Sequence, residues 1–193
     1  MSTLALAAGA SGTGSVTIQA PATNNTDVIN LPDTNGGTIM VSSAMPAFSA
    51  YNTGGGSISA STATKISYDT KTFDTNTCFN NTSGTVTLNG ISTPSYSFAP
   101  NVAGYYLING SWCTNSASAQ NMNIELFKNG SLYQYSNWQT QNASLGGVIT
   151  GTFIVYLNGT SDYVSMYVVD SIAVGTTSGS IYTYFQGSLL RAA

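Results

Sequence analysis

The chain has 193 residues, a formal net charge of −3, no histidine and only 6% charged residues, where roughly 25% is common. Its four cations, Lys65, Lys71, Lys128 and Arg191, are too few to neutralise the phosphates of a nucleic acid, and no apolar run approaches the ~18 residues of a membrane span. Without histidine the commonest general base, the usual serine triad and imidazole metal sites are all excluded.

With so few charges, the polar surface falls to Ser, Thr and Asn, which suit strands and turns better than helices. The 20 glycines and 12 tyrosines point the same way, so the expected class is all-β. The start, MSTLALAAGASG, has no positive segment and too short an apolar run for a signal peptide, which leads us to expect a cytoplasmic origin.

Residues 1–45 contain no aromatic side chain and so have little to offer a core. Two strand-like pieces stand out there, SVTIQA (Ser15 to Ala20) and DVINLP (Asp27 to Pro32), before the turn TNGG and the run TIMVSS. We read this part as a docking arm whose contacts come from Val16, Ile18, Gln19, Pro21, Val28, Ile29, Leu31, Pro32 and Ile39. An aromatic-free arm of this kind is either disordered or laid along a partner, and the docked form is the one expected here.

From Pro46 the aromatics begin, and short alternating runs follow one another to the end of the chain. Asn89-Gly90, Asn129-Gly130 and Asn158-Gly159 read as hairpin turns, and many short strands with such turns imply a sandwich or barrel over residues 46–193. The stretch YSFAPNVAGYYLING reads as two strands with a corner at Pro100 to Gly104, Tyr96 and Phe98 facing inward on the first and Tyr106 and Ile108 on the second. In DYVSMYVVD, Tyr163 and Tyr167 oppose Val164, Met166 and Val168, so both faces are expected to be covered. Tyr133, Tyr135 and Trp138 in SLYQYSNW either belong to core and interface or form a sugar-stacking patch beside Asn137 and Gln139.

Little here points to catalysis. Asp27, Asp33, Asp69, Asp74, Asp162 and Asp170 fit turns and strand ends, and Glu125, between Ile124 and Leu126, fits a solvent-facing strand position. Asp69 with Asp74 is the one local pair for glycoside hydrolysis or calcium, and no cofactor is expected. Cys78 and Cys113 are too few for a disulfide framework; two buried, reduced residues are expected, with a single disulfide as the alternative. The sequons at Asn80, Asn109, Asn142 and Asn158 are what a chain this rich in Asn, Ser and Thr produces by chance.

Four ordered motifs between Pro46 and Leu190 resemble the globular head of complement-q-type proteins, which share their jelly roll with tumour necrosis factor. They are Pro46-Ala47-Phe48-Ser49-Ala50, then Phe98-Ala99-Pro100 with Gly104-Tyr105-Tyr106, then Leu126-Phe127-Lys128-Asn129-Gly130, and Phe185-Gln186-Gly187-Ser188-Leu189. The resemblance implies a jelly-roll homotrimer, with Phe48, Phe98, Tyr106, Tyr163, Tyr167 and Phe185 in its core or trimer interface. The turn Leu157 to Asp162 departs from the family's glycine-aspartate turn, so no metal role carries over to Asp162, and collagen-like repeats are absent.

In the arm, Val16-Thr17-Ile18-Gln19-Ala20-Pro21, Asn30-Leu31-Pro32 and Gly36-Gly37-Thr38-Ile39-Met40 resemble a segment recurring in tailed-phage structural proteins. The two resemblances together imply a virion protein assembled in a bacterial cytoplasm. The expected role is capsid decoration, a trimer docked on the major capsid protein by its arm. The alternative is the tip of a tail fibre, carried by a tail-fibre protein and touching a host glycan through Tyr133, Tyr135 and Trp138.

Overall fold

A computed structural model of the chain describes residues 45–136, 138–141 and 146–193. The arm positions Val16, Ile18, Gln19, Pro21, Val28, Ile29, Leu31, Pro32 and Ile39 lie outside the described residues. Sixteen strands follow in chain order: β1 (Ala47–Tyr51), β2 (Ser57–Ile58), β3 (Thr64–Lys65), β4 (Thr70–Asp74), β5 (Phe79–Asn80), β6 (Val86–Leu88), β7 (Ile91–Thr93) and β8 (Ser97–Phe98). The second half supplies β9 (Gly104–Cys113), β10 (Gln120–Lys128), β11 (Ser131–Tyr135), β12 (Gln139–Gln141), β13 (Val148–Leu157), β14 (Val164–Asp170), β15 (Val174–Gly175) and β16 (Tyr184–Ala192). Among the described residues no helix is long and apolar enough to cross a membrane.

Two antiparallel sheets face each other as an all-β jelly-roll sandwich. The first runs β13-β9-β16-β1-β4 and the second β11-β10-β14-β8-β5, with β12 also on β10 and β3 on β14. Strand periodicity decides what lies between them. Along β13 every second residue is buried, and Ile149, Phe153, Val155 and Leu157 meet Tyr106, Ile108 and Trp112 of β9 and Met122, Ile124 and Leu126 of β10 in one core. At its centre the Phe48 ring lies 4.4 Å from Phe98 and 4.8 Å from Phe79, both stacked, with Phe185 edge-on at 4.8 Å. Each such ring contributes about 1.5–3 kcal/mol by leaving water, before any ring–ring term.

The stretch Tyr96 to Gly110 carries the chain from one sheet to the other. β8 lies in the second sheet and β9 in the first, so the two strands face across the core instead of pairing. Phe98 and Tyr106 meet at 5.5 Å, ring edge to ring face, and the Tyr106 hydroxyl donates to the Val102 carbonyl at 2.7 Å, closing the corner. Tyr96 is only half-buried, because its left-handed backbone (φ 50°) interrupts the alternation that would put it beside Phe98. Gly104 is needed where β9 begins, since a Cβ there would run into the Arg191 carbonyl.

Asn89-Gly90 joins β6 to β7 and Asn129-Gly130 joins β10 to β11, each with both φ angles positive, as a two-residue hairpin requires. Asn158-Gly159 does not close a hairpin. β13 and β14 belong to different sheets, and the Asn158 side chain instead accepts from the amides of Thr160, Ser161 and Asp162, each at 3.0 Å.

Candidate interaction surfaces

Most described carboxylates already have structural work. Asp69 accepts from the Thr53 amide at 3.0 Å and the Thr53 hydroxyl at 2.8 Å. Asp74 accepts from the amides of Cys78 and Phe79 and pairs with Lys71 at 2.8 Å, so the two acids anchor separate loops and share no ligand. Asp162 is held by Lys128 at 2.9 Å, Asn129 at 2.7 Å and the Asn158 amide at 3.1 Å. Burial opposes its charge, but these hydrogen bonds outweigh burial and keep its carboxyl below the ordinary value. Asp170 is wholly buried at the end of β14, and burial raises its carboxyl despite an amide donated by Ile172. Among the described residues no group of three or more His, Cys, Asp or Glu converges as a metal site would require. Cys78 and Cys113 are both free and buried.

The outer face of the first sheet is apolar. Tyr105 sits opposite Tyr156 in the β9–β13 register and Leu107 opposite Ile154, and all four side chains are exposed. The two tyrosine rings lie 5.5 Å apart, and Lys128 caps the Tyr156 ring at 5.8 Å. Farther across the sheet, Leu107 and exposed Phe73 border a hollow floored by Gly187. Leaving neighbouring aromatic and aliphatic side chains in water is costly, and such patches mark contact surfaces. None of these residues stands out in the sequence reading, although GYYLINGSW and VITGTFIVYL carry bulky side chains on both parities, as DYVSMYVVD does.

Phe48, Phe98, Tyr106 and Phe185 lie in the core. Tyr163 and Tyr167 are half-buried on the second sheet's side, where Tyr167 stacks on Phe127 at 4.0 Å beneath Lys65, whose amine is brought down to about 8 by burial.

Tyr133, Tyr135 and Trp138 are all exposed, on a strand broken in the middle. β11 and β12 both run antiparallel to β10, and Ser136 and Trp138 lie at the break between them. A bulge within β11 sends Tyr133 away from the other two, toward the Ile154 carbonyl at 3.4 Å, whereas Tyr135 and Trp138 line one cleft together. Glu125 departs from the expected solvent-facing position: it is only 8% exposed, flanked in register by Tyr135 and Tyr167. It does point out of the core, but the groups around the break in the neighbouring strand enclose it.

No family model and no curated protein matches the chain. Among solved structures, the globular domain of a zebrafish complement 1qA protein superposes with a TM-score of 0.51 at 15% identity, over 77% of this chain and 98% of that one. Murine APRIL superposes with a TM-score of 0.50 at 9% identity, over 76% of this chain and 99% of that one. The PRD1 vertex protein gives 0.43 at 17% identity, over 76% and 97%. At such identities likeness speaks of fold alone, and the first two superpositions show that the chain has a jelly-roll fold like that of those two domains.

Proposed function

We propose that the chain is a structural protein of a phage particle, a homotrimeric jelly roll that decorates the capsid and is fastened to the major capsid protein by its N-terminal arm. The observation that carries the trimer is the exposed apolar patch formed by Tyr105, Leu107, Ile154 and Tyr156, bordered by Lys128 and Arg191. Its occupants are two further copies of the chain, as the family resemblance of the four motifs implies. In this reading the threefold contact lies on β9 and β13 rather than on the β14 face of Tyr163 and Tyr167. The phage setting and the docking rest on the arm, whose uncharged strand-like pieces suit addition to a partner's sheet edge by backbone hydrogen bonds.

A second reading is favoured by the exposure of Tyr133, Tyr135 and Trp138: the same trimer at the tip of a tail fibre, meeting a host glycan. Two measurements test the proposal. Sedimentation of the full chain should give three times the monomer mass, and a monomer at micromolar concentration overturns the trimer. Antibody label on intact virions should spread over the head; label confined to the tail tip overturns the decoration role and supports the second reading.

A further inference from the structure

A cleft of about 670 Å³ opens on the outer side of the second sheet, lined by Ser61, Asn121, Glu125, Trp138, Val169 and Ser171. That volume is in the range of small-ligand sites, roughly 300–1,000 Å³. Asn121, Asn123 and Glu125 alternate along the same side of β10. Asn123 is 2% exposed, and its Oδ1 has no hydrogen-bond partner among the described residues. Its side chain bonds Glu125, but burial still pushes the Glu125 carboxyl above its ordinary value. Neither ion pair among the described residues involves Glu125. A buried carboxylate without a cation and a buried carbonyl without a donor are both costly, typically by a few kcal/mol each.

The cleft wall thus sets one buried carboxylate acceptor, Glu125, beside the hydroxyls of Ser61 and Ser171 and the side-chain amide of Asn121. Asn121 already accepts from the Thr140 hydroxyl at 2.7 Å through its side-chain oxygen, which directs its side-chain nitrogen elsewhere, and the Ser171 hydroxyl accepts from the Asn121 backbone N–H at 2.9 Å. A fitting ligand brings several O–H donors, some acceptors and one apolar face. Trp138, 55% exposed at the cleft's edge, offers a flat indole for that face, and Val169 adds apolar surface. Among the described residues no cation lines the cleft to neutralise an anionic ligand.

We propose that this cleft binds a neutral saccharide, with a pyranose ring stacked on Trp138 and a hydroxyl donated to the Glu125 carboxylate. Asn121 donates to a ring or hydroxyl oxygen, and the Ser61 and Ser171 hydroxyls complete the edge. A small cation is a poorer fit: a cation cage needs aromatic walls on several sides, and among the described residues Trp138 is the only aromatic lining this cleft. The inference gives the glycan reading a defined site but does not depend on head or tail placement, because a trimer in either position carries the cleft.

The chain has two tryptophans, and Trp112 is wholly buried, so Trp138 is the one that a dissolved quencher reaches. Iodide quenching of the full-length protein, titrated with galactose, glucose, mannose, N-acetylglucosamine, sialyllactose and choline, tests the proposal in solution. At least one neutral sugar should protect Trp138 at millimolar concentration, with sialyllactose and choline weaker. Calorimetry with that sugar should show affinity lowered at least about tenfold by Trp138→Ala and several-fold by Glu125→Gln. Ile181→Ser, at an exposed turn before β16, should leave it unchanged, and circular dichroism checks that each variant is folded. Absence of protection by every neutral sugar overturns the proposal, as does binding that folded Trp138→Ala and Glu125→Gln leave intact. Tighter binding of choline or sialyllactose overturns the assignment of ligand class. Because these measurements use free protein, their failure leaves the virion label and the sedimentation result standing.

Discussion

Phe153 and Ile154 are consecutive residues of β13 on opposite sides of the sheet, 3% and 54% exposed. Phe153→Ala removes a ring from a close-packed interior and should cost about 3–5 kcal/mol. A domain holds only about 5–15 kcal/mol in all. At about 2–4 °C per kcal/mol for a chain of this length, the melting midpoint should fall by about 6–20 °C. Ile154→Asp opens no cavity, and in an isolated protomer it should change stability by no more than about 0.5 kcal/mol. In the proposed trimer it puts a carboxylate on every copy of the apolar contact, where the neighbouring Lys128 is already committed to Asp162. A charge desolvated without a partner costs several kcal/mol, enough to prevent assembly. Urea unfolding over a hundredfold range of protein concentration separates the two effects, because a midpoint coupled to assembly rises with concentration. Wild type and Phe153→Ala should both show that rise, the variant from a lower start, while Ile154→Asp should unfold at a concentration-independent midpoint and sediment as a monomer. Trimeric Ile154→Asp, or Phe153→Ala melting with the wild type, would refute this two-sided reading of β13.

Three other predictions concern the protomer. Tyr106→Phe removes the hydroxyl that closes the corner on Val102 but leaves the buried ring, so urea unfolding should show a loss of about 0.5–1.5 kcal/mol; no loss would mean the bond is idle. Asp162 has its carboxyl lowered in the folded state, so the unfolded chain binds the proton more readily. Its contribution is fully present above the ordinary value of about 3.9 and is lost as pH falls through the folded value. Asp162→Asn should therefore be less stable than wild type at pH 6, with the gap closing in strong acid; a gap unchanged there would contradict the assignment. Burial raises the Cys78 thiol to about 11, leaving about one thiolate in a thousand at pH 8, so mass spectrometry should find Cys78 alkylated by iodoacetamide in denaturant and spared in the native protein.

Alternation was enough to read the class and much of the core, because period-two burial is a local property: Phe48, Phe98, Tyr106 and Phe185 show their inward parity in their own runs. What pairs with what is not local. Asn158-Gly159 has the residues of a hairpin turn, and Gly159 takes the positive φ, yet the strands on either side go to different sheets. Asp162, just past this turn, is held by Lys128 and Asn129, residues about thirty positions earlier, and no reading of the turn alone reveals such contacts.

The two candidate surfaces show the same boundary. Tyr105, Leu107, Ile154 and Tyr156 each have outward parity, but they become one patch only through the β9–β13 register, which joins residues far apart in the chain. Glu125 is the sharper case. Its place between Ile124 and Leu126 correctly puts it outside the core, and outside the core was equated with solvent. The equation fails because the strand beside β10 is interrupted between β11 and β12, and the interruption leaves Trp138 at the rim of a cleft that contains Glu125. SLYQYSNWQTQ carries that break in its sequence: the alternation of Tyr133, Gln134 and Tyr135 stops at Ser136 and does not resume in step. A lost beat in a strand edged with aromatics is therefore a signal of its own, because an outward polar residue on the next strand then faces a wall instead of water.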